Sequence, residues 1–144
     1  HEVSLLAGFG LDVNKERYRD NHSKVQTFML ENDETTVAME VPIWLNPEEL
    51  TSYKTLFNQS GILTGHIDVL RVENENVWIW DYKPNAQKEK YASTQIFFYA
   101  LMLSKRTGIP LERFRCGYFD HNFTFVFKPE YSHIEKLNKQ STLI

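Results

Sequence analysis

Two aspartates and a lysine interrupt an otherwise apolar stretch between Gly65 and Pro84. The stretch is apolar on both sides of a polar turn at Glu73–Asn76, which predicts a hairpin of two buried strands. The charged residues are Asp68 in the first strand and Asp81 and Lys83 at the end of the second. A carboxylate in a half-buried strand costs free energy unless something pairs with it. We therefore expect these carboxylates to have a partner.

The register of the predicted hairpin brings the charged residues together. If the turn lies symmetrically between the strands, Asp68 lies directly opposite Asp81, with Cβ atoms about 4.5–5.5 Å apart. Lys83 follows two residues later and points to the same face, opposite His66, because side chains alternate along a strand. One face at one end of the hairpin thus gathers two carboxylates, an amine and an imidazole.

Facing carboxylates need more positive charge than Lys83 alone supplies, because like charges directly opposite each other destabilise a hairpin. Mg²⁺ fits, since it prefers carboxylate and carbonyl oxygens, and the backbone carbonyl of Tyr82 is a further candidate ligand. Such an ion polarises phosphates and generates hydroxide from water. Lys83 is suited to orient that water or stabilise developing charge; a base role requires that its neighbours not keep it protonated. The alternative is that Asp68 and Asp81 flank the strand ends in solvent.

A polar pair on the following helix points toward the same end of the sheet. Gln95 and Tyr99 are four residues apart and share one face of an otherwise apolar helix, predicted over 86–107. We expect this pair to face the charged end of the hairpin. The alternative places Gln95 at the surface and Tyr99 at the rim of the core.

These residues must be positioned by a mixed α/β (α+β) domain with one sheet covered by helices on both faces. Before the hairpin, the sequence predicts a helix end over 1–9 stopped by Gly8 and Gly10, and a helix or helix plus loop over 12–31. An edge or irregular strand over 35–45 and a helix from Asn46 to about Ser60 follow. After the hairpin, it predicts the helix over 86–107 ending at Gly108, a second hairpin of 114–119 and 123–127, and a terminal helix over 129–140.

The composition excludes several classes of protein. A chain of 144 residues with 42% hydrophobic residues is long and apolar enough for one folded domain, over 1–144. A net charge of −3 argues against coating nucleic acid by charge alone, although a local basic patch is compatible with it. The single cysteine, Cys116, excludes a disulfide framework and a four-cysteine zinc or iron–sulfur site. With no membrane-length apolar run and no signal peptide, we expect a cytoplasmic (intracellular) protein.

Three motifs in the predicted order resemble the PD-(D/E)XK nuclease superfamily, and specifically its RecB-like branch. They are Gly65-His66-Ile67-Asp68, Asp81-Tyr82-Lys83 and Gln95 with Tyr99, within residues 64–103. The resemblance implies a restriction-endonuclease-like core, a mixed sheet of about four to five strands flanked by helices on both faces. It implies a nuclease that uses Mg²⁺ or Mn²⁺ to hydrolyse phosphodiester bonds in DNA, with RNA left open. Independently of the resemblance, the lack of a membrane-length apolar run predicts no membrane partner. A metal-bound water would attack phosphorus.

By the same resemblance, each motif residue has an expected role. Asp68 and Asp81 would be metal ligands, Lys83 the catalytic lysine, and Gln95 and Tyr99 motif residues that support the site or contact the DNA backbone. Some relatives carry an iron–sulfur cluster, which Cys116 alone cannot hold.

Other residues are candidates for supporting roles. Relatives often supply a histidine from an upstream helix, and His1 before an apolar run looks like that position, in a helix that lacks its first turns; a residue left from a tag is the alternative. Glu40 is a further candidate metal ligand, unless it is simply an exposed strand residue. His66 is adjacent to the site, at a position that varies in the family. Lys88 and Lys90 are candidates for phosphate contacts, or belong to a solvated charged face.

Two other classes of function remain open on the sequence. One is a non-catalytic nucleic-acid-binding module that retains the nuclease fold. The other is a small-molecule-binding α+β domain with aromatic residues lining a pocket, which predicts no affinity for metal ions.

Overall fold

A five-stranded sheet with helices on both faces forms the core of the protein. The computed structural model describes residues 1–51, 53–57 and 61–142. The helices are α1 (Glu2–Val13), α2 (Asn21–Asn32), α3 (Tyr53–Phe57), α4 (Ala92–Thr107) and α5 (Ser132–Thr142); the strands are β1 (Thr36–Leu45), β2 (Leu63–Glu73), β3 (Asn76–Tyr82), β4 (Phe114–Phe119) and β5 (Thr124–Phe127).

The sheet is mixed, with the strands in sequence order from β1 to β5. Neighbouring strands are antiparallel except β3 and β4, which are parallel. A parallel pair needs a crossover connection, and α4 supplies it. This architecture confirms the predicted α+β fold of the restriction-endonuclease-like kind. The edge position of β1 also agrees with Pro42, which cannot donate a ladder hydrogen bond.

Each face of the sheet has its own apolar core. On one face, α4 buries Ile96, Ala100 and Leu101 against strand residues such as Ile67 and Ile79. On the other face, α1 and α2 bury a second set of side chains against the sheet. That set consists of Val3, Ala7, Val25, Met29, Val69, Trp80, Tyr82 and Phe119. The sheet is therefore held between two helical layers, as predicted.

The turn between β2 and β3 sets the register of the central hairpin. Asn74 and Glu75 have φ values of 52° and 66°, the left-handed conformation of both central residues in a type I′ turn. Glu73 pairs with Asn76 and Val69 with Trp80, which confirms the symmetric register. Continued by one residue, this register sets Asp68 opposite Asp81.

Two predictions about the first helices were wrong or too coarse. Gly8 and Gly10 do not stop α1, which continues to Val13. A Cβ on Gly10 would lie 3.0 Å from the backbone oxygen of Lys24, so this glycine permits close packing of α1 on α2. Between the two helices runs a loop, and α2 begins where Asp20 caps it by accepting a hydrogen bond from the backbone N–H of Ser23.

Two later helix starts also differ from prediction. The helix predicted from Asn46 is a short 3₁₀ turn, Pro47–Glu49, followed by α3; Ser60, its predicted end, lies outside the described residues. The helix predicted from Ala86 begins at Ala92, because Ala86 starts a separate 3₁₀ turn and donates its N–H to buried Asp120. Its end at Gly108, with φ 77°, is as predicted. Among the described helices, none combines the length and hydrophobicity needed to cross a bilayer.

Candidate active site

Two carboxylates from neighbouring strands form the centre of the candidate site. Asp68 lies on β2 and Asp81 on β3, with side chains 14% and 6% exposed. The backbone N–H of Tyr82 donates to Asp68 Oδ2 at 3.0 Å. Burial, then the hydrogen bond and charge of Asp81, raises the pKa of Asp68 well above its ordinary value. Without a bound cation, Asp68 therefore favours its protonated form beside Asp81.

Lys83 lies beside this pair. Its Nζ is 2.8 Å from Asp81 Oδ2 and donates to Gln95 Oε1 at 3.0 Å. Its backbone N–H donates to the carbonyl of Phe119 on β4, which fixes the chain just beyond β3. Burial lowers the pKa of Lys83, but the hydrogen bond and charge of Asp81 outweigh burial and raise it overall. Lys83 is therefore a cation at neutral pH.

The polar pair on α4 continues the chain of contacts. Gln95 Nε2 donates to the Tyr99 hydroxyl at 2.9 Å, so Asp81, Lys83, Gln95 and Tyr99 are linked in sequence. Gln95 is exposed and Tyr99 half-buried. The ring of Tyr99 lies against the backbone of Gly65: a Cβ there would be only 2.5 Å from Tyr99 Cε1. The glycine of the first motif thus makes room for the tyrosine of the third.

A histidine that the sequence analysis did not single out lies on the other side of Asp68. His22, in the first turn of α2, has its Nε2 3.7 Å from Asp68 Oδ2 and its ring edge-on to Tyr82 at 5.1 Å between centroids. The signal that could have found it is Asp20 followed by Ser23, a helix-start pattern that fixes the first turn of α2.

Glu40 lies near the site, at an irregular position of β1. Its φ is 52°, and its carboxylate accepts a hydrogen bond from Gln26 Nε2 at 2.6 Å. The same Gln26 nitrogen is 3.2 Å from the backbone oxygen of Asp68. The charge of Glu40 also contributes, after burial and Asp81, to the raised pKa of Asp68.

Within the described part of the chain, the structure records no hydrogen bond or ion pair between the two carboxylates and the other predicted residues. His1 caps α1 by accepting from the N–H of Val3, and it lines a cavity with Asn74 at the turn end of the hairpin, away from Asp81. His66 is exposed, opposite Pro42 of β1. Lys88 and Lys90 are exposed and precede α4 rather than beginning it.

The donor set fits a hard divalent cation. Asp81 Oδ2 is buried and lacks a hydrogen bond of good geometry within the described residues, despite its ion pair with Lys83. Carboxylate oxygens are the ligand type that Mg²⁺ and Mn²⁺ prefer. In the described part of the chain, no three His, Cys, Asp or Glu side chains already converge closely enough to enclose an ion.

Comparison with known families agrees with this geometry. Residues 10–141 match the sequence model of the PD-(D/E)XK nuclease superfamily, a range that includes Asp68, Asp81, Lys83 and the polar pair on α4. None of the curated proteins compared with the chain matches it. The family match spans nearly the whole sequence, and the fold and the arrangement of motifs agree with it. The chain therefore belongs to the PD-(D/E)XK nuclease superfamily.

Proposed function

We propose that this protein is a RecB-like nuclease that hydrolyses phosphodiester bonds in DNA with Mg²⁺ or Mn²⁺. The observation that carries the proposal is the continuous chain of contacts from Asp81 through Lys83 and Gln95 to Tyr99, beside the second carboxylate, Asp68. These residues come from three motifs that are distant in sequence. A structural role for the pair Gln95 and Tyr99 alone would not require Gln95 to contact the lysine.

The residues that would hold the ion are Asp68 and Asp81, together with the backbone carbonyl of Tyr82 and, from α2, His22. The ion would polarise a phosphate oxygen and lower the pKa of water. Asp68 would have to release its proton when the ion binds, because a ligand carboxyl must be ionised.

Lys83 is proposed to act as a fixed positive charge near the phosphate. Its raised pKa keeps it protonated, so it is suited to orient the attacking water and to stabilise negative charge on the phosphate oxygens. It is unsuited to act as a general base at neutral pH. Gln95 orients the ammonium group of Lys83, and Tyr99 orients Gln95.

The DNA backbone is proposed to approach from the segment that precedes α4. Lys88 and Lys90 are exposed there, between Lys83 and the first turn of the helix that carries Gln95. Cationic side chains at this position would contact phosphates and set the register of the strand, without reading sequence.

A cleavage assay tests the proposal. Linear single-stranded, linear double-stranded and circular DNA, and an RNA of matched sequence, are incubated with Mg²⁺, Mn²⁺ or EDTA. We expect cleavage of DNA with either ion and none with EDTA or with Asp81→Asn. If no nucleic acid is cut with any divalent ion, and neither ion changes the melting temperature, the proposal is wrong.

A second candidate function is a non-catalytic module that retains the fold and binds nucleic acid. The observation in its favour is that Lys83 already pairs with Asp81, and that the described residues do not enclose an ion-sized site. It predicts binding of DNA that is unaffected by EDTA, without cleavage.

A further inference from the structure

We propose that Gln26 is a positioning residue that fixes the orientation of Asp68 for ion binding. This inference rests on the proposed function, because it assigns a role toward the ion that Asp68 would hold. It concerns a side chain that none of the three sequence motifs includes.

The backbone around Asp68 departs from the regular ladder between β1 and β2. Met39 pairs with Val69 and Val41 pairs with Ile67, but Glu40, between them, has a left-handed φ of 52°. Such a φ is uncommon for a residue with a Cβ and marks a local irregularity. At this point the backbone carbonyl of Asp68 accepts a hydrogen bond from a side chain, Gln26 Nε2, at 3.2 Å.

Gln26 is matched to this position by its chemistry. It is 2% exposed, and its Nε2 donates both to the carboxylate of Glu40 and to the carbonyl of Asp68. Both partners are acceptors, and an amide NH₂ group carries two donors. A glutamate at position 26 would place an acceptor against two acceptors, and an apolar side chain would leave both without this donor.

The helical spacing adds a second contact to the same aspartate. His22 and Gln26 are four residues apart and therefore lie on one face of α2. His22 is near the carboxylate of Asp68, whereas Gln26 holds its backbone carbonyl. Helix α2 thus lies beside both ends of Asp68 and holds its carbonyl by a hydrogen bond, as α4 holds Lys83 through Gln95.

The expected consequence concerns ion affinity. Removing the donor at position 26 releases the carbonyl of Asp68. The Asp68 carboxylate then keeps its hydrogen bond from Tyr82 N–H but loses the support of its own backbone, and its orientation toward Asp81 becomes less well defined. Loss of a residue that orients a metal ligand typically lowers metal affinity or activity about 10- to 100-fold.

The test measures Mn²⁺ binding by electron paramagnetic resonance of the free ion and by calorimetry, independently of cleavage. Gln26→Met removes both hydrogen bonds at similar size. Gln87→Met makes the same substitution at an exposed glutamine. Val25→Ala perturbs the buried face of α2 without removing a contact to Asp68.

We expect Gln26→Met to raise the Mn²⁺ dissociation constant at least 10-fold, and the two control variants to bind as the parent does. If Gln26→Met does not fold, Gln26→Leu, which also lacks the amide donor and adds no charge near the ion, carries the same comparison. Parent-like affinity in the folded Gln26 variant, or an equal loss in Val25→Ala, would overturn the inference alone. A parent protein that neither binds Mn²⁺ nor cleaves DNA would overturn the proposed function, and this inference with it.

Discussion

At the scale of single residues, substitution of Lys83 tests whether catalysis can be lost without loss of ion binding, as the proposed function requires. We expect Lys83→Ala to abolish detectable cleavage while Mn²⁺ binding persists, because the lysine is proposed to act on water and phosphate rather than on the ion. In the metal-free protein, the substitution leaves the buried Asp81 Oδ2 without its cation. The free energy of unfolding should fall by about 1–3 kcal/mol, measured by urea denaturation in EDTA.

Lys105→Ala is a suitable control for this prediction, because Lys105 is an exposed residue in the last turn of α4. It should change neither cleavage nor stability measurably. Cleavage by Lys83→Ala at the parent rate would show that the charge of this lysine is not needed for the reaction.

At the scale of elements, the contact between β2 and α4 depends on Gly65. A Cβ on this residue would lie 2.5 Å from the Tyr99 ring, so Gly65→Ala must displace the tyrosine or the helix. We expect cleavage to fall, because Gln95 loses its fixed partner, and stability to fall by roughly 1–3 kcal/mol from overpacking. Cleavage rates and urea denaturation measure the two effects.

Gly61→Ala makes the same substitution where a Cβ would meet nothing within 4 Å. This variant should keep the activity and stability of the parent. Equal behaviour of Gly65→Ala and Gly61→Ala would contradict the proposed packing role of Gly65.

The sequence predicts some of these elements well and others poorly, for physical reasons. The register of the central hairpin follows from local turn chemistry, and the facing of Gln95 and Tyr99 follows from helical spacing, so both were predictable. The start of α4 depends on a long-range hydrogen bond from Ala86 to Asp120, which local sequence propensity cannot predict. The continuation of α1 through Gly10 likewise depends on packing against α2.

His22 was missed for a related reason. Its role depends on where α2 begins, and the segment from 12 to 31 was interpreted only as a helix or a helix plus loop. His1 was the residue assigned to the upstream histidine, because it directly precedes an apolar run. Only the packing of α2 beside β2 shows that His22 is the histidine near Asp68.

At the scale of the whole molecule, the buried carboxyl pair makes stability depend on pH. Burial and Asp81 raise the pKa of Asp68 to about 9 in the folded protein, whereas the pKa of an aspartate in the unfolded chain is about 3.9. Between these values the folded state holds a proton that the unfolded state releases. The free energy of unfolding of the metal-free protein should therefore decrease as pH rises through this range.

Asp68→Asn should remove this contribution. Carboxyls with lowered pKa values, such as Asp33 and Asp120, contribute the opposite slope below about pH 4. They do so in both proteins, so the difference between parent and variant isolates Asp68. Melting temperatures from pH 4 to pH 9 in EDTA measure it. A constant difference across the range would mean that Asp68 titrates normally in the folded protein.

The turn at Asn74 and Glu75 determines which residues of β2 and β3 face each other, and so determines whether the distant carboxylates are aligned. One residue added there, if the strands slipped to accommodate it, would shift β2 against β3 by a single position and send one aspartate to the opposite face of the sheet. A longer loop that left Glu73 paired with Asn76 would preserve the alignment. This hairpin can therefore accept a peptide insertion at its tip only when the added residues leave the strand pairing unchanged.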